Sequence, residues 1–169
     1  MALNSEQNLA LQHVTEGHNV LLMGSAGTGK SFLIKKIVDT MRKSGKKVYV
    51  TATTGIASSH YTDASTIHRW SGIGDGRRSI DDLKDVINNN KQYSDVKKRV
   101  LETDLLIIDK CSMMSRKFFE SLNVICQLKN PALLFGGIQL LLAGDFKQLP
   151  PVPNILYGDE GELFHFQDF

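Results

Sequence analysis

Apolar residues change their spacing several times along the chain, and each change predicts an element. Asn19-Val20-Leu21-Leu22-Met23 is a nearly unbroken apolar run, as expected of a central strand buried on both faces of a parallel sheet. Directly after it, apolar residues fall at 33, 34, 37, 38 and 41, which is the spacing of one helical face. Lys47 to Ala52, Leu105 to Asp109 and Ile138 to Ala143 predict three further strands. Helices are predicted between them. The first opens at Asn4-Ser5-Glu6-Gln7, turns Leu9, Ala10, His13 and Val14 inward, and stops at Gly17. Short helices start at Thr53 to Ser58 and at Ser65 to Trp70, and Gly72 to Arg78 is a loop. A helix capped by Ser79 buries Ile80, Leu83, Val86 and Ile87, another runs from Ser94 to Glu102, and a third, capped by Ser115, has Phe118, Phe119, Leu122 and Ile125 on its apolar side. Strands alternating with helices predict an α/β fold, a mostly parallel sheet with helices on both faces.

The bulk numbers narrow this only slightly. A chain of 169 residues, 41% hydrophobic and 22% charged, has the composition of one soluble globular domain. No apolar run approaches a membrane span, and Met1 to Glu6 lacks a basic-then-apolar leader pattern, so an intracellular protein without a membrane partner is expected. A net charge of +2 neither requires nor excludes a polyanionic partner. Cys111 and Cys126 form no CxxC pair and have no suitably spaced histidines, which argues against a zinc or redox motif; Cys126 falls on an apolar helical face.

The strongest chemical signal lies where the first apolar run gives way to helical spacing. Gly24-Ser25-Ala26-Gly27-Thr28-Gly29-Lys30-Ser31 reads GxxxxGK[ST]. Its glycines let the backbone wrap closely around phosphate oxygens with N–H groups pointing inward. Lys30 then reaches the β- and γ-phosphates as a point charge, the Ser31 hydroxyl ligates Mg²⁺, and the helix starting there adds the positive end of its dipole. A glycine-rich turn with a stray lysine is the bland alternative, but the strand before and the helix after disfavour it.

Other candidates carry ordinary readings beside the functional ones. Asp109 ends a buried strand, where a phosphate-loop protein keeps its second Mg²⁺ anchor. Alone a strand-terminal Asp is common, and the upstream loop makes it informative. Gln7 completes a capping box with Asn4 or hydrogen-bonds an adenine edge; from spacing alone the capping role is favoured. The hydroxyls of 53–58 suit a phosphate or serve as caps. Trp70 is core or a base-stacking platform, with core favoured for a lone aromatic. The Lys97-Lys98-Arg99 run reads as a solvated face rather than a nucleic-acid patch.

Several segments taken together resemble one family. Asn4 to Gln7, Gly24 to Ser31, Val50 to Ala57, Thr66 to Ile73, Leu106 to Met114, Phe135 to Leu140, and Gly144-Asp145-Phe146-Lys147-Gln148-Leu149-Pro150-Pro151-Val152 occur in helicase order. The chain resembles the first RecA-like lobe of a Pif-family DNA helicase, the 5′-to-3′ branch of superfamily one and a relative of RecD. The resemblance implies a RecA-like lobe over residues 1–153 and, over 154–169, the start of a connection to a second RecA-like lobe. It implies that Gln7 recognises adenine, that Gly24, Ser25, Ala26, Gly27, Thr28, Gly29, Lys30 and Ser31 hold ATP, and that Ser31 and Asp109 hold Mg²⁺. It further implies that Gln148 senses the γ-phosphate, and that Thr54, Gly55, Ile56, His68 and Arg69 line a track for single-stranded DNA. A nuclear or mitochondrial location is implied for a eukaryotic source.

One position departs from the pattern. In such helicases the strand-end Asp is followed by a Glu that positions or deprotonates the attacking water; here the next residue is Lys110. An ammonium has no lone pair with which to accept that proton, so impaired hydrolysis is expected. Two other readings stand beside the helicase motor: a non-hydrolysing, ATP-gated module for single-stranded DNA, and an unrelated phosphate-loop NTPase.

Overall fold

Parallel strands cannot be joined by tight turns, so each connection must cross a face of the sheet and return. That is the architecture of the computed structural model, which describes residues 2–24, 29–74 and 78–145. In chain order the elements are α1 (Ser5–Thr15), β1 (Val20–Met23), α2 (Lys30–Lys43), β2 (Val48–Ala52), α3 (Gly55–Ser58), β3 (Ser65–Thr66), α4 (Ile67–Ser71), α5 (Ile80–Asn89), α6 (Ser94–Glu102), β4 (Leu105–Asp109), α7 (Arg116–Cys126) and β5 (Gln139–Gly144). The strands line up as β1-β5-β4-β2-β3 and every pairing is parallel. The expected fold class, an α/β lobe with helices on both faces of a parallel sheet, is the one observed.

Side-chain alternation along β4 divides the core in two. Leu105 and Ile107 face α1 and α2 in a cluster with Val14, Leu33, Ile34, Ile37, Val50 and Leu141. Leu106 and Ile108 face the other way, into a cluster with Trp70, Leu83, Val100, Phe119, Leu122 and Leu142 from α4 to α7 and β5. All five residues of β4 are buried, as a strand covered on both faces must be.

The first strand departs from expectation. Within the described residues β1 is an outer strand paired only to β5, its residues are half-buried, and Met23 is 59% exposed. An apolar run reports affinity for the interior but not how many neighbours the strand has, so the doubly covered position falls to β4. In α1 the inner face is narrower than its pattern: Ala10 and Val14 are buried, whereas Leu9 and His13 are exposed. The helix has one packed neighbour face and ends two residues before Gly17, so only the stripe nearest α2 and β1 is covered.

Beyond α7 the chain closes a tight clasp. The turn Leu134–Gly137 packs Phe135 against Phe119, with ring centroids 4.8 Å apart, and Phe135 N donates to Asn123 Oδ1 at 2.7 Å. Gly136 sits at φ +63°, and a Cβ there would lie 2.0 Å from the carbonyl oxygen of Cys126. Only glycine allows this approach.

Arg99 shows how the far half is tied together. Lys97 and Lys98 are exposed, but Arg99 is half-buried, and its guanidinium donates to Trp70 O at 3.1 and 3.3 Å and to Arg69 O at 3.2 Å. These carbonyls lie in the last turn of α4, where a cation is favoured. The solvated-face reading therefore holds for the two lysines and fails for the arginine. Trp70 is core, 1% exposed, rather than an open stacking surface.

Candidate nucleotide and metal site

In an open parallel sheet, ligand chemistry gathers outside the carboxyl ends of the strands. Register places Met23 opposite Gly144 and Ala52 opposite both Asp109 and Thr66, so the ends of all five strands share one rim. Gly24 continues β1 and donates to Gly144 O at 3.3 Å. Residues 25–28 of the phosphate loop and Gln148 lie outside the described residues, as does the boundary expected at 153/154; the two ends of the loop are described.

At the far end of the loop, α2 starts at Lys30 with Gly29 as its N-cap. Among the described residues no side chain caps this terminus and its first turn carries no acid, so the positive end of its dipole faces the loop, where an anion is favoured. Lys30 Nζ donates back to Gly24 O, which places the ammonium between the loop's two ends. Gly29 adopts φ +81°, and a Cβ on it would stand 2.8 Å from Gln7 Nε2. The Gln7 amide thus lies against the loop, beside a cleft of about 180 Å³ lined by Asn4, Gln7, Leu22, Met23, Gly29 and Lys30.

Gln7 also does what spacing alone favoured. Its N–H donates to Asn4 Oδ1 at 2.9 Å, and its Oε1 accepts from Asn4 N at 3.0 Å, a full capping box. An amide oxygen has two lone pairs and Nε2 has two protons, so capping leaves this side chain capacity for a second partner.

Asp109 is only 5% exposed and is held from both sides. Its Oδ1 accepts from Lys110 N at 2.8 Å, and its Oδ2 accepts from the Tyr61 hydroxyl at 2.7 Å. The same phenol oxygen lies 3.5 Å from Ser31 Oγ, at the start of α2. A phenol has one proton, and the shorter contact commits it to Asp109; Ser31 bonds to Tyr61 only as a donor. Burial, followed by the Asp109 bond, holds the Tyr61 hydroxyl protonated far above neutrality. A carboxylate and a hydroxyl facing one point form a hard-oxygen donor set, which suits Mg²⁺.

Lys110 follows with φ 58° and ψ 38°, the left-handed region. Its carbonyl accepts from Thr53 Oγ1 at 2.9 Å and from Met113 N at 3.1 Å, so its backbone is pinned between β2 and the turn Cys111–Met113. A non-glycine residue held there costs about 1–2 kcal/mol. Neighbouring contacts sustain that conformation. Cys111 is no nucleophile: burial and the adjacent Asp109 push its thiol up to about 12.

The residues expected along a nucleic-acid track follow the carboxyl ends of β2 and β3. Thr54 caps α3, accepting from Ala57 N at 3.1 Å, and Ile56 in its first turn is 81% exposed. His68 and Arg69 stand on α4, exposed, two and three residues past the Ala52–Thr66 pair. The His68 ring, exposed on its outer side, packs on Phe118 at 4.5 Å between centroids, and partial desolvation of the ring lowers its proton affinity. Sequence reasoning missed Tyr61 and Phe118 as partners of these groups, and no local signal marks either one. A separate group, His13, Glu16 and His18, brings ligand atoms within 4.8 Å of one another on exposed positions ending α1, before β1 begins.

A parallel sheet whose carboxyl rim gathers a loop lysine, a helix-start serine and a strand-end aspartate is that of a phosphate-loop nucleotide-binding lobe. The family model of the PIF1-like helicase matches residues 2–164. The chain belongs to that family. It is 40% identical over 166 residues to the ATP-dependent DNA helicase PIF1 of Danio rerio, covering 98% of this chain and 24% of the relative. It is also 40% identical over 151 residues to that of Xenopus laevis, covering 89% of this chain and 23% of the relative. The chain therefore spans about a quarter of the length of these curated relatives. The Candida albicans Pif1 helicase crystal structure superposes with a TM-score of 0.81 at 35% identity, over 98% of this chain and 39% of that one. A Bacteroides Pif1 helicase in complex with ADP-AlF3 and single-stranded DNA superposes with a TM-score of 0.78 at 30% identity, over 94% of this chain and 35% of that one.

Proposed function

We propose that this chain is the first RecA-like motor lobe of an ATP-dependent 5′-to-3′ DNA helicase, one that binds ATP and Mg²⁺ but hydrolyses poorly. The observation that carries the reading is the convergence of Lys30, Ser31 and Asp109, from β1–α2 and β4, on one rim. Lys30 and the α2 amides neutralise the β- and γ-phosphates, and Ser31 and Asp109 hold the metal. Mg²⁺ held by Ser31 and Asp109 would supply charge neutralisation. Gln7 reads the adenine edge with Nε2 and the second lone pair of Oε1. The Bacteroides relative solved with ADP-AlF3 and single-stranded DNA supports nucleotide binding by this lobe. Gln148 senses the γ-phosphate by family resemblance alone.

Thr54, Gly55, Ile56, His68 and Arg69 grip single-stranded DNA. Their place after the ends of β2 and β3, on the rim that carries Asp109, supports a coupling of the two ligands. The lobe ends near residue 153, and 154–169 lead toward a second RecA-like lobe, consistent with the greater length of the relatives. A DNA motor works inside the cell, in the nucleus or mitochondrion of a eukaryote. Lys110 favours a second reading, a module that holds ATP and DNA without turnover, because it stands where a water-orienting carboxylate is needed.

Calorimetry with ATP, with and without Mg²⁺, and single-turnover phosphate release with oligothymidylate test both readings. Magnesium-dependent ATP uptake is expected, and Lys110→Glu raises phosphate release by roughly 10²–10⁴, the contribution of a positioned base. Equal rates in the two proteins refute the hydrolytic defect. Binding to DNA weakens with salt by about 0.7 in log affinity per log unit of salt for each neutralised phosphate. A salt-independent affinity rules out the track.

A further inference from the structure

Tyr61 has no part in the function proposed above, yet it touches both oxygens assigned to the metal. Its ring belongs to the core cluster of α1, α2, β2 and β4, and the residue is 8% exposed. Its hydroxyl emerges at the rim, 2.7 Å from Asp109 Oδ2 and 3.5 Å from Ser31 Oγ. The phenol proton points at the lone pair a cation needs, and the phenol oxygen stands between the two ligands. Mg²⁺ demands near-ideal octahedral oxygens at about 2.0–2.1 Å. A neutral phenol is a weak ligand for it, and a proton directed at Asp109 opposes it. The hydroxyl and the ion therefore compete for one place.

We propose that Tyr61 is a latch on the metal site: its hydroxyl closes Asp109 against Ser31 and must leave before a divalent cation can bridge them. The latch rests on the nucleotide reading above. Its backbone is fixed to the end of α3: Tyr61 N donates to Ser58 O at 3.2 Å, and Tyr61 precedes the edge strand β3 by four residues. Tyr61 acts as a positioning residue through Asp109 and touches no reacting atom.

The test is the ratio of ATP affinities with and without Mg²⁺, measured by calorimetry on the 169-residue chain. Tyr61→Phe keeps the ring in the core and deletes the hydroxyl. The ratio is expected to rise about tenfold, the equivalent of ~1.4 kcal/mol of released competition. Tyr61→Leu, which removes the hydroxyl on a different side chain, must shift the ratio in the same direction and stands in if the Phe variant does not fold; Trp70 fluorescence reports folding in both. An unchanged ratio overturns the latch, and a lowered one does so by showing that the phenol helps orient Asp109 for the metal. If the parent chain takes up no ATP with or without Mg²⁺, the nucleotide reading fails and the latch with it. If the parent binds and the variants leave the ratio alone, only the latch fails.

Discussion

The carboxyl rim of the sheet and the clasp behind α7 use backbone geometry for opposite ends. In the clasp, Gly136 at positive φ lets the chain touch the Cys126 carbonyl, and apart from the Phe135 N bond to Asn123 the turn is packed into an apolar cluster with Phe119, Leu122 and Ile138. At the rim, Lys110 is held in the same left-handed region, but what surrounds it is polar and mutually engaged: Asp109, Tyr61, Ser31, Thr53. The clasp spends its constraint on packing, where each lost contact is lost stability. The rim holds polar groups whose hydrogen bonds replace those made with water, so their net contribution to folding is small and a ligand can take the place of a partner such as the Tyr61 hydroxyl on Asp109. Substitutions in the clasp should therefore destabilise the protein, and substitutions of the rim groups assigned to the ligands, Lys30, Ser31 and Asp109, should leave it folded and weaken binding.

The sharpest test is Gly136→Ala. A left-handed alanine with its Cβ 2.0 Å from a carbonyl oxygen combines backbone strain with overpacking, and a loss of about 3 kcal/mol is expected in urea unfolding followed by Trp70 fluorescence. A loss below about 1 kcal/mol would show that the clasp yields. Next in size is Lys30→Ala, which weakens ATP by roughly 30-fold, about 2 kcal/mol, while the urea midpoint stays near that of the parent. If this variant unfolds as readily as Gly136→Ala, the division between rim and clasp is wrong.

Arg99→Ala lies between the two regions. It leaves the α4 carbonyls of Arg69 and Trp70 without their guanidinium and should lower stability by about 1.5 kcal/mol. Because α4 carries His68 and Arg69, DNA affinity should fall as well, read by fluorescence anisotropy; a stability loss with unaltered DNA affinity would detach α4 from the track.

The smallest effect is a pH dependence. Partial desolvation of the His68 ring, which packs on Phe118, depresses its pKa in the folded state below its usual 6.5. The unfolded chain then binds the proton first, so the contribution is fully present above pH 6.5 and fades as pH falls from 6.5 toward the folded value. Urea unfolding of the parent and of His68→Phe should diverge below pH 6.5, with the parent losing more. Parallel curves would mean that the imidazole is solvated.

Much of the fold was legible because period and punctuation are local. The Ser94–Glu102 helix and the Leu105–Asp109 strand were delimited by spacing alone, and the caps Asn4, Thr54, Ser79 and Ser115 all accept the expected backbone N–H. The site was legible in part for a similar reason: the phosphate-binding loop is contiguous, and a buried strand ending in Asp is a local event. Tyr61 and Arg99 were not, since their partners lie 48 and 29 residues away, respectively, and nothing in their own neighbourhoods distinguishes them. The order of the strands was hidden too, because an apolar run carries no record of its neighbours.

By itself, then, the sequence determined the elements, the family and the chemical groups on offer: an ammonium, a hydroxyl, a carboxylate and a lysine where an acid was expected. Tertiary structure decided who stands next to whom. It put β1 at the outer edge among the described strands, made Arg99 a brace, and set a phenol hydroxyl between Ser31 and Asp109. The physical reason is range: helical and strand periods are fixed by bonds a few residues apart, whereas contacts across a sheet exist only after burial of two apolar faces brings distant segments together.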